Sequence, residues 1–212
     1  MENKVYGIIP QKSGVCPIFG VSEGKMIRGV KLILSWGYYD IKWGTEFSVS
    51  GKNGRYLEYE KNGVWYVQTD TQWSSCDEAV ITMPCDCNIE GFKLKLKDGG
   101  VRMCMIDCEK AYFDINNSSA EIESVKADKI GLSLGKGSVV MGAEPRERMD
   151  IDCGFGSADI RLIKSCDYSF EIKHGKGSVT LNSEALPREY VHKGGGRLIN
   201  IVCGMGSVNI NT

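Results

Sequence analysis

The sequence predicts an all-β protein whose single domain is a β-solenoid (β-helix-like) built of coils of about 19 residues. Three observations support this prediction: a G-x-G-S motif recurs, its copies are evenly spaced, and apolar residues alternate with polar residues on both sides of it. The motif stands at the centre of four similar stretches. They are LSLGKGSVVM (132–141), IDCGFGSADI (151–160), IKHGKGSVTL (172–181) and IVCGMGSVNI (201–210).

The spacing of the repeat is nearly constant. The residues directly before the turns, including two weaker upstream copies, are Leu96, Ile115, Leu134, Cys153, His174 and Cys203. The first three steps between them are equal, at about 19 residues, and the last two are longer, at about 21 and about 29 residues. One unit of this length cannot bury an apolar face alone, so we expect successive units to stack as coils about 4.8 Å apart.

Each unit also alternates with a period of two residues. In one unit Ile130, Leu132 and Leu134 precede the turn, and Val139 and Met141 follow it. Successive side chains of a strand point to opposite faces, so this pattern predicts strands with one buried face and one face in water. Equivalent positions of the stacked units should then form columns.

Two outward columns follow from this register. The first is Ser119, Ser138, Ser157, Ser178 and Ser207, which we interpret as turn residues. The second is Lys95, Asp114, Ser133, Asp152 and Lys173. In the second column we expect Lys95 to meet Asp114 and Asp152 to meet Lys173.

The G-x-G-S motif also resembles part of a phosphate-binding loop. A phosphate loop is used once per site and leads into a helix, where the helix N-terminus holds the anion. Here the motif occurs four times, and each copy leads into an alternating, strand-like segment such as 138–141. The sequence therefore favours a structural turn over a nucleotide site.

The remainder of the chain completes the predicted domain organisation. Residues 28–90 read as irregular opening coils, with a hairpin signal at Asn62-Gly63, and residues 91–212 read as the regular coils. Residues 1–27 are expected to form an N-terminal cap or arm. The solenoid is therefore predicted to span 28–212.

Four stretches of the chain resemble one protein family. They are VKLILSWGYYDIKWGTEFSV (30–49), AVITMP (79–84), FEIKHGKGSVTL (170–181) and INIVCGMGSVNI (199–210). In order and spacing they resemble the bacterial putative-adhesin family of β-strand-repeat proteins, a domain of unknown function related to the C-terminal domain of Lia-type cell-envelope stress regulators. This resemblance implies a β-solenoid with no known catalytic residues.

Composition excludes several classes of function. The formal net charge is −1, with 26 basic and 27 acidic residues, so the basic footprint of a nucleic-acid binder is missing. No window approaches the roughly 18 apolar residues of a membrane span, and the N-terminus lacks the pattern of a signal peptide. The nine dispersed cysteines favour reduced thiols in the cytoplasm, and association with the cell surface through a partner is the alternative.

Aromatic residues and one loop are the candidates for ligand binding. The first half of the chain contains Trp36, Tyr38, Tyr39, Trp43, Trp65, Tyr66 and Trp73, which either form a glycan-binding surface or pack in the opening coils. The segment HKGGGR, from His192 to Arg197, is either a mobile binding loop or an ordinary surface loop. We select Trp36, Trp43, Trp65, His192 and Arg197 as binding candidates.

Cysteine and histidine residues raise the question of a metal site. Cys153, His174 and Cys203 each precede a turn, so we expect them on three successive coils, with both thiols beside His174 in the core. A fourth ligand is not evident, so we expect no metal there. The pair Cys85 and Cys87 with the pair Cys104 and Cys108 lacks the usual zinc spacing.

These observations predict a non-catalytic, adhesin-like scaffold or binding protein with a protein or glycan partner that the sequence does not identify. No catalytic, cofactor-binding or metal-binding residues are assigned, and neither nucleic acid nor a membrane span is expected. One alternative is a self-assembling β-solenoid polymer, since stacked coils expose edges that can pair and give a homo-oligomer. A carbohydrate-active enzyme is the other alternative.

Overall fold

The β structure that the sequence predicts is present throughout the computed structural model, which describes residues 26–51, 56–69, 77–85, 89–163 and 167–212. Every regular element in these ranges is a strand and none is a helix, so the all-β prediction is confirmed for them. Nearly all of the predicted N-terminal cap or arm lies outside the described residues, as do Trp73 and Cys87. The proposed boundary between opening and regular coils stays a prediction.

Fourteen strands occur in the described residues, and all belong to one mixed sheet. They are β1 (Gly29–Leu34), β2 (Gly37–Gly44), β3 (Ser48–Gly51), β4 (Tyr56–Lys61), β5 (Val64–Thr69), β6 (Asp77–Pro84), β7 (Ile89–Cys153), β8 (Ser157–Leu162), β9 (Tyr168–His174), β10 (Ser178–Leu181), β11 (Glu184–Ala185), β12 (Glu189–His192), β13 (Arg197–Cys203) and β14 (Ser207–Asn211).

Strand β7 is 65 residues long and includes several of the repeat units. Lys95 Nζ lies 2.9 Å from Asp114 Oδ2, which confirms one of the two predicted ion pairs. The predicted pair of Asp152 with Lys173 is wrong, because Val202 lies between them in the sheet. Asn117 Nδ2 donates to Asp98 Oδ1 at 2.9 Å, again across one unit. Side chains one unit apart in the sequence are therefore neighbours in space.

Equivalent positions of successive units pair in parallel and in register. Ser138 is opposite Ser157, and Met141 is opposite Ile160. The alternation predicted from the sequence sets which side chains are buried. Leu132 and Leu134 are buried, whereas Ser133 between them is only partly buried. The inward positions of this unit are thus apolar.

The order of the last two units differs from their order in the sequence. Strand β13 pairs with β7 on one side and with β9 on the other, and β14 lies between β8 and β10. The C-terminal unit is therefore inserted between the unit that ends at Leu162 and the unit that begins at Tyr168. The expectation that units stack in sequence order is wrong at this end.

The N-terminal units show the same arrangement. Strand β1 lies between β5 and β7, and β2 lies between β6 and β7, so the first described unit in the sequence is the second in the stack. The outermost unit is therefore the second along the chain at the N-terminal end and the second-to-last at the C-terminal end. The first unit of the chain, and likewise the last, lies one position in from the end of the stack.

Antiparallel strands cover the outermost units at both ends. At the N-terminal end β4 pairs with β5 and β3 pairs with β6. At the other end β12 pairs with β9 and β11 pairs with β10. Covering an edge in this way occupies backbone groups that could otherwise pair with another chain. Strands β11 and β12 belong to the long segment between the last two G-x-G-S turns.

The core is formed by the inward side chains of the stacked units. Near the N-terminal end it contains Phe92 and Phe113, whose ring centroids are 5.8 Å apart, and Trp65 and Phe47, whose ring centroids are 4.8 Å apart. Towards the other end the buried residues include the small side chains Ala158 and Val208 and the aromatic side chains Tyr168 and Phe170. Since the described residues contain no helix, they include none long and apolar enough to cross a membrane.

Candidate functional site

The G-x-G-S motifs stack into one corner of the molecule. Each copy leads into a strand, β8 after Gly156, β10 after Gly177 and β14 after Gly206, as the sequence predicts. Gly137 has a φ of 119°, and a Cβ there would collide with the carbonyl oxygen of Ser118. Close approach between neighbouring units therefore requires glycine at this position.

The backbone amides of this corner are used to join one unit to the next. Phe155 N donates to Gly135 O at 2.8 Å, Met205 N donates to Gly154 O at 2.8 Å, and Ser207 N donates to Gly156 O at 2.9 Å. A phosphate-binding loop needs such amides directed at its ligand. In this corner they stabilise the stack, which supports the interpretation of the motif as a structural turn.

The predicted serine column is present, in a corrected order. Ser138 is opposite Ser157, Ser157 is opposite Ser207, and Ser207 is opposite Ser178. Ser207 Oγ donates to Ser157 Oγ at 3.2 Å. The inserted C-terminal unit thus places Ser207 before Ser178.

Two large apolar side chains are exposed at the apex of this corner. Phe155 is 61% exposed and Met205 is 52% exposed. They line a shallow depression of about 470 Å³, which we call the corner depression. Its other side chains are Ser157, Lys176, Ser178 and Ser207, and glycines form the rest of the lining.

The order of the units brings Phe155 and Met205 together. Gly154 is the carbonyl partner of Met205 N, so the two turns are direct neighbours. Stacking in sequence order would have placed Lys176 between them. Instead Lys176 lies on the far side of Met205, because β10 pairs with β14. The result is an exposed apolar pair beside a lysine.

The column of Cys153, His174 and Cys203 also has a corrected order. Cys203 is opposite Cys153 on one side and opposite His174 on the other. The expectation that His174 lies between the two thiols is therefore wrong. His174 is at the end of the column, where Nε2 lies 3.2 Å from the carbonyl oxygen of Leu186.

Burial governs the chemistry of the cysteines in this column. Both thiols are buried, and burial raises the pKa of Cys153 to about 11, with Cys203 beside it as a further cause. Among the described residues no three His, Cys, Asp or Glu side chains are grouped so that they could hold a metal ion. The expectation that this column binds no metal stays a prediction.

The other cysteine candidates are not brought together as a site. Cys85 is exposed, Cys104 is partly buried and Cys108 is buried. Burial, with Asp107 as the second cause, raises the pKa of Cys108 to about 12. Cys87 lies outside the described residues. Cys108 is thus a core side chain, as its place in the repeat predicts.

The tryptophan candidates have separate environments. Trp65 is only 1% exposed, and its Nε1 donates to Glu58 Oε1 at 2.9 Å, so it packs in the core and cannot line a glycan surface. Trp43 is partly buried against the core. Trp36 is exposed at the turn between β1 and β2, with a φ of 50°. The three do not form one surface.

His192 and Arg197 lie at the C-terminal end of the stack. His192 is exposed at the end of β12, with its ring 6.4 Å from that of Phe170. Arg197 is partly buried at the start of β13, opposite Tyr168. Both candidates therefore belong to strands, and only residues 193–196 connect them. Their part in ligand binding stays a prediction.

A second surface was not selected by sequence reasoning. It is a row of side chains across β4, β5, β1 and β7, which we call the tyrosine–lysine row. The row consists of Tyr59, Tyr66, Lys31, Lys93 and Tyr112. The step of one repeat unit from Lys93 to Tyr112 could have been found in the sequence. The approach of Lys31 to Lys93 could not, because it depends on the insertion of β1.

Comparison with known proteins gives a likeness of fold. No protein-family model and no curated protein matches this chain. A solved structure of a putative cell adhesion protein from Clostridium sporogenes matches with a TM-score of 0.47 and 14% identity, over 90% of this chain and 95% of that one. A putative adhesin from Bacteroides fragilis matches with a TM-score of 0.38 and 10% identity, over 88% and 93%.

Proposed function

We propose that this chain is a non-catalytic, adhesin-like binding scaffold whose corner depression contacts a protein or glycan partner. The observation that carries the proposal is the exposure of Phe155 and Met205 side by side. A lone exposed apolar side chain is ordinary, but adjacent ones within a depression are typical of contact sites. Ser157 and Ser178 supply hydrogen-bonding groups beside them.

The scaffold that we propose is a β-solenoid with coils of about 19 residues. Three kinds of contact support it: ion pairs across one repeat unit, such as Lys95 with Asp114, parallel in-register strands, and glycine turns stacked on one corner. A stack of this kind is rigid because each unit is hydrogen-bonded to its neighbours. It therefore holds outward side chains at fixed spacing.

The composition of the corner depression supports binding over catalysis. Glycoside hydrolysis generally needs a pair of carboxyl groups on either side of the scissile bond. The depression is lined instead by glycine, serine, lysine, phenylalanine and methionine. These side chains can pack against a partner and donate hydrogen bonds to it. This composition favours a binding protein over a carbohydrate-active enzyme.

We further propose that the protein works in the cytoplasm, with attachment to the cell surface through a partner as the alternative. Among the described residues Cys85, Cys104, Cys108, Cys153 and Cys203 are free thiols. Free thiols suit a reducing compartment.

The test of the proposed function is a binding screen on glycan and protein arrays. The wild-type protein is compared with Phe155→Ser and with Val140→Ser, which removes an exposed apolar side chain from another face. We expect Phe155→Ser to lose at least tenfold in signal and Val140→Ser to bind as the wild type does. Equal binding by Phe155→Ser, or no binding by the wild type, would contradict the proposal. Thermal melting of all three proteins checks that each is folded.

A further inference from the structure

We infer that Lys31 and Lys93 form a binding site for an acidic polysaccharide, with Tyr66 and Tyr112 as its flanking rings. The site lies on the outer face of β5, β1 and β7 and is separate from the corner depression. It consists of residues from four units that only the stacked fold brings together.

The register fixes the positions of the four side chains. Lys31 is opposite Tyr66 on one side and opposite Lys93 on the other. Neighbouring strands lie about 4.8 Å apart, so the two lysine side chains leave the sheet from adjacent positions. Tyr112 follows Lys93 in the row, and Tyr59 precedes Tyr66.

Among the described residues, no acidic side chain is paired with either of these two lysines. Lys31 Nζ lies 5.3 Å from the ring centre of Tyr66, and Lys93 Nζ lies 4.8 Å from that of Tyr112. Within the described part of the chain, neither lysine forms an ion pair with a carboxylate. Lys95, in contrast, lies 2.9 Å from Asp114.

Two cations directly opposite each other on neighbouring strands repel. The rings attract each cation separately, yet they do not screen one from the other. A carboxylate or sulfate group between the two ammonium groups would remove this repulsion and form charge-assisted hydrogen bonds with both. The arrangement is therefore complementary to an anion.

The rings beside the lysines extend the site beyond a single anion. Tyr112 is 39% exposed and leans over Gly131, where a Cβ would come within 2.8 Å of its ring. Tyr59 and Tyr66 are stacked with centroids 4.7 Å apart. The faces of Tyr66 and Tyr112 are thus covered within the protein, so it is their exposed edges and hydroxyl groups that can contact the hydroxyl groups of a sugar. Rings and cations together therefore match acidic sugars.

The acidic groups farther along the stack limit the length of the ligand. Asp150 pairs with Arg148, and Asn200 Nδ2 donates to the same carboxylate at 3.0 Å. Glu171 lies opposite Asn200 on the next strand. A nucleic-acid backbone needs many phosphate contacts, on the order of six to ten in tight complexes. Two lysines on a stack with acidic groups farther along suit a few acidic sugars better.

The experiment measures binding of polygalacturonate, dextran sulfate, neutral dextran and a single-stranded oligonucleotide by biolayer interferometry. The proteins are the wild type, Lys31→Gln/Lys93→Gln and the control Lys136→Gln/Lys173→Gln, which removes the same charge from exposed positions away from the tyrosine–lysine row. Phe155→Ser serves as a variant of the corner depression. Polygalacturonate reports on carboxylates and dextran sulfate on sulfates.

We expect the wild type to bind at least one acidic polysaccharide and not neutral dextran. Lys31→Gln/Lys93→Gln should weaken that binding at least tenfold, whereas the control pair and Phe155→Ser should change it less than twofold. Absence of binding to both acidic polysaccharides, tighter binding of the oligonucleotide, or an equal loss in the control pair would overturn the inference. The Phe155→Ser result separates this site from the proposed function, which has its own array test.

Discussion

At the scale of single residues, the alternation of the repeat decides which side chains the fold depends on. Leu132 is 2% exposed in the core, while its neighbour Ser133 points outward in the column that begins with Lys95 and Asp114. Adjacent residues therefore meet opposite environments. The same change made at both positions should have very different effects.

Leu132→Asn should destabilise the protein by about 3 to 5 kcal/mol, because it leaves a cavity and buries an amide. Ser133→Asn should change stability by less than about 0.5 kcal/mol, since the new amide meets water. Urea unfolding followed by fluorescence measures both. Similar losses in the two variants would show that the inward and outward positions are wrongly assigned.

Burial of thiols predicts a loss of stability at alkaline pH. The ordinary thiol pKa is 9.0, and burial raises that of Cys108 to about 12 and that of Cys153 to about 11. Because the pKa is higher in the folded state than in the unfolded state, the thiol contributes fully to stability below pH 9.0. This contribution is lost as the pH rises towards 12. We expect the free energy of unfolding to fall between these values.

Cys108→Ala should flatten this pH dependence, because it removes the thiol with the larger shift. Urea unfolding at a series of pH values from neutral to strongly alkaline measures the slope. The matched control is Cys85→Ala, which removes an exposed thiol and should leave the slope unchanged. A slope in Cys108→Ala equal to that of the wild type would count against the burial of this thiol.

At the scale of elements, the units are alike enough to pair in more than one order. Strands β9 and β13 have the same alternation and both end directly before a G-x-G-S turn. Either could pair with β7 through the same backbone groups. In the structure β13 takes that position and β9 becomes the outermost parallel strand. The order therefore depends on the connections, not on the strands.

Engineered disulfides test this order. Ser157 and Ser207 are on neighbouring strands, about 4.8 Å apart, which lies within the Cα separation that a disulfide allows. Ser157 and Ser178 are two strands apart, at roughly twice that distance. After oxidation, Ser157→Cys/Ser207→Cys should give a cross-linked peptide in mass spectrometry. The opposite result, a cross-link only in Ser157→Cys/Ser178→Cys, would show that the units stack in sequence order.

At the scale of the whole molecule, both ends of the stack are closed by antiparallel strands. Leu186 N donates to Val179 O, and His174 N donates to Arg188 O, so the segment after β10 is hydrogen-bonded across the end. The edge that could recruit another copy is thereby occupied. This arrangement favours a monomer over the self-assembling polymer that the sequence also allowed.

The wild-type protein should be a monomer in size-exclusion chromatography with light scattering. Replacing residues 183–194 with a Gly-Ser linker of equal length should uncover β9 and β10 and give larger species that grow with concentration. A control with the same linker inserted after Gly194 keeps β11 and β12 and should stay monomeric. Polymers formed by the wild type, or a monomeric replacement variant, would contradict the capping role.

The length of the unit, the strands, the inward positions and the columns could all be predicted from the sequence, because each depends on local pattern. Alternation places Leu132 inside and Ser133 outside whatever lies next to them, and glycine is needed wherever turns stack closely. The adjacent pairs at Cys153 and Cys203, Phe155 and Met205, and Lys31 and Lys93 were decided only by the tertiary structure. Every unit presents the same inner pattern and the same backbone edges, so sequence period cannot distinguish one stacking order from another. The connections and the capping strands choose among these orders, and with them the surfaces on which we propose that ligands bind.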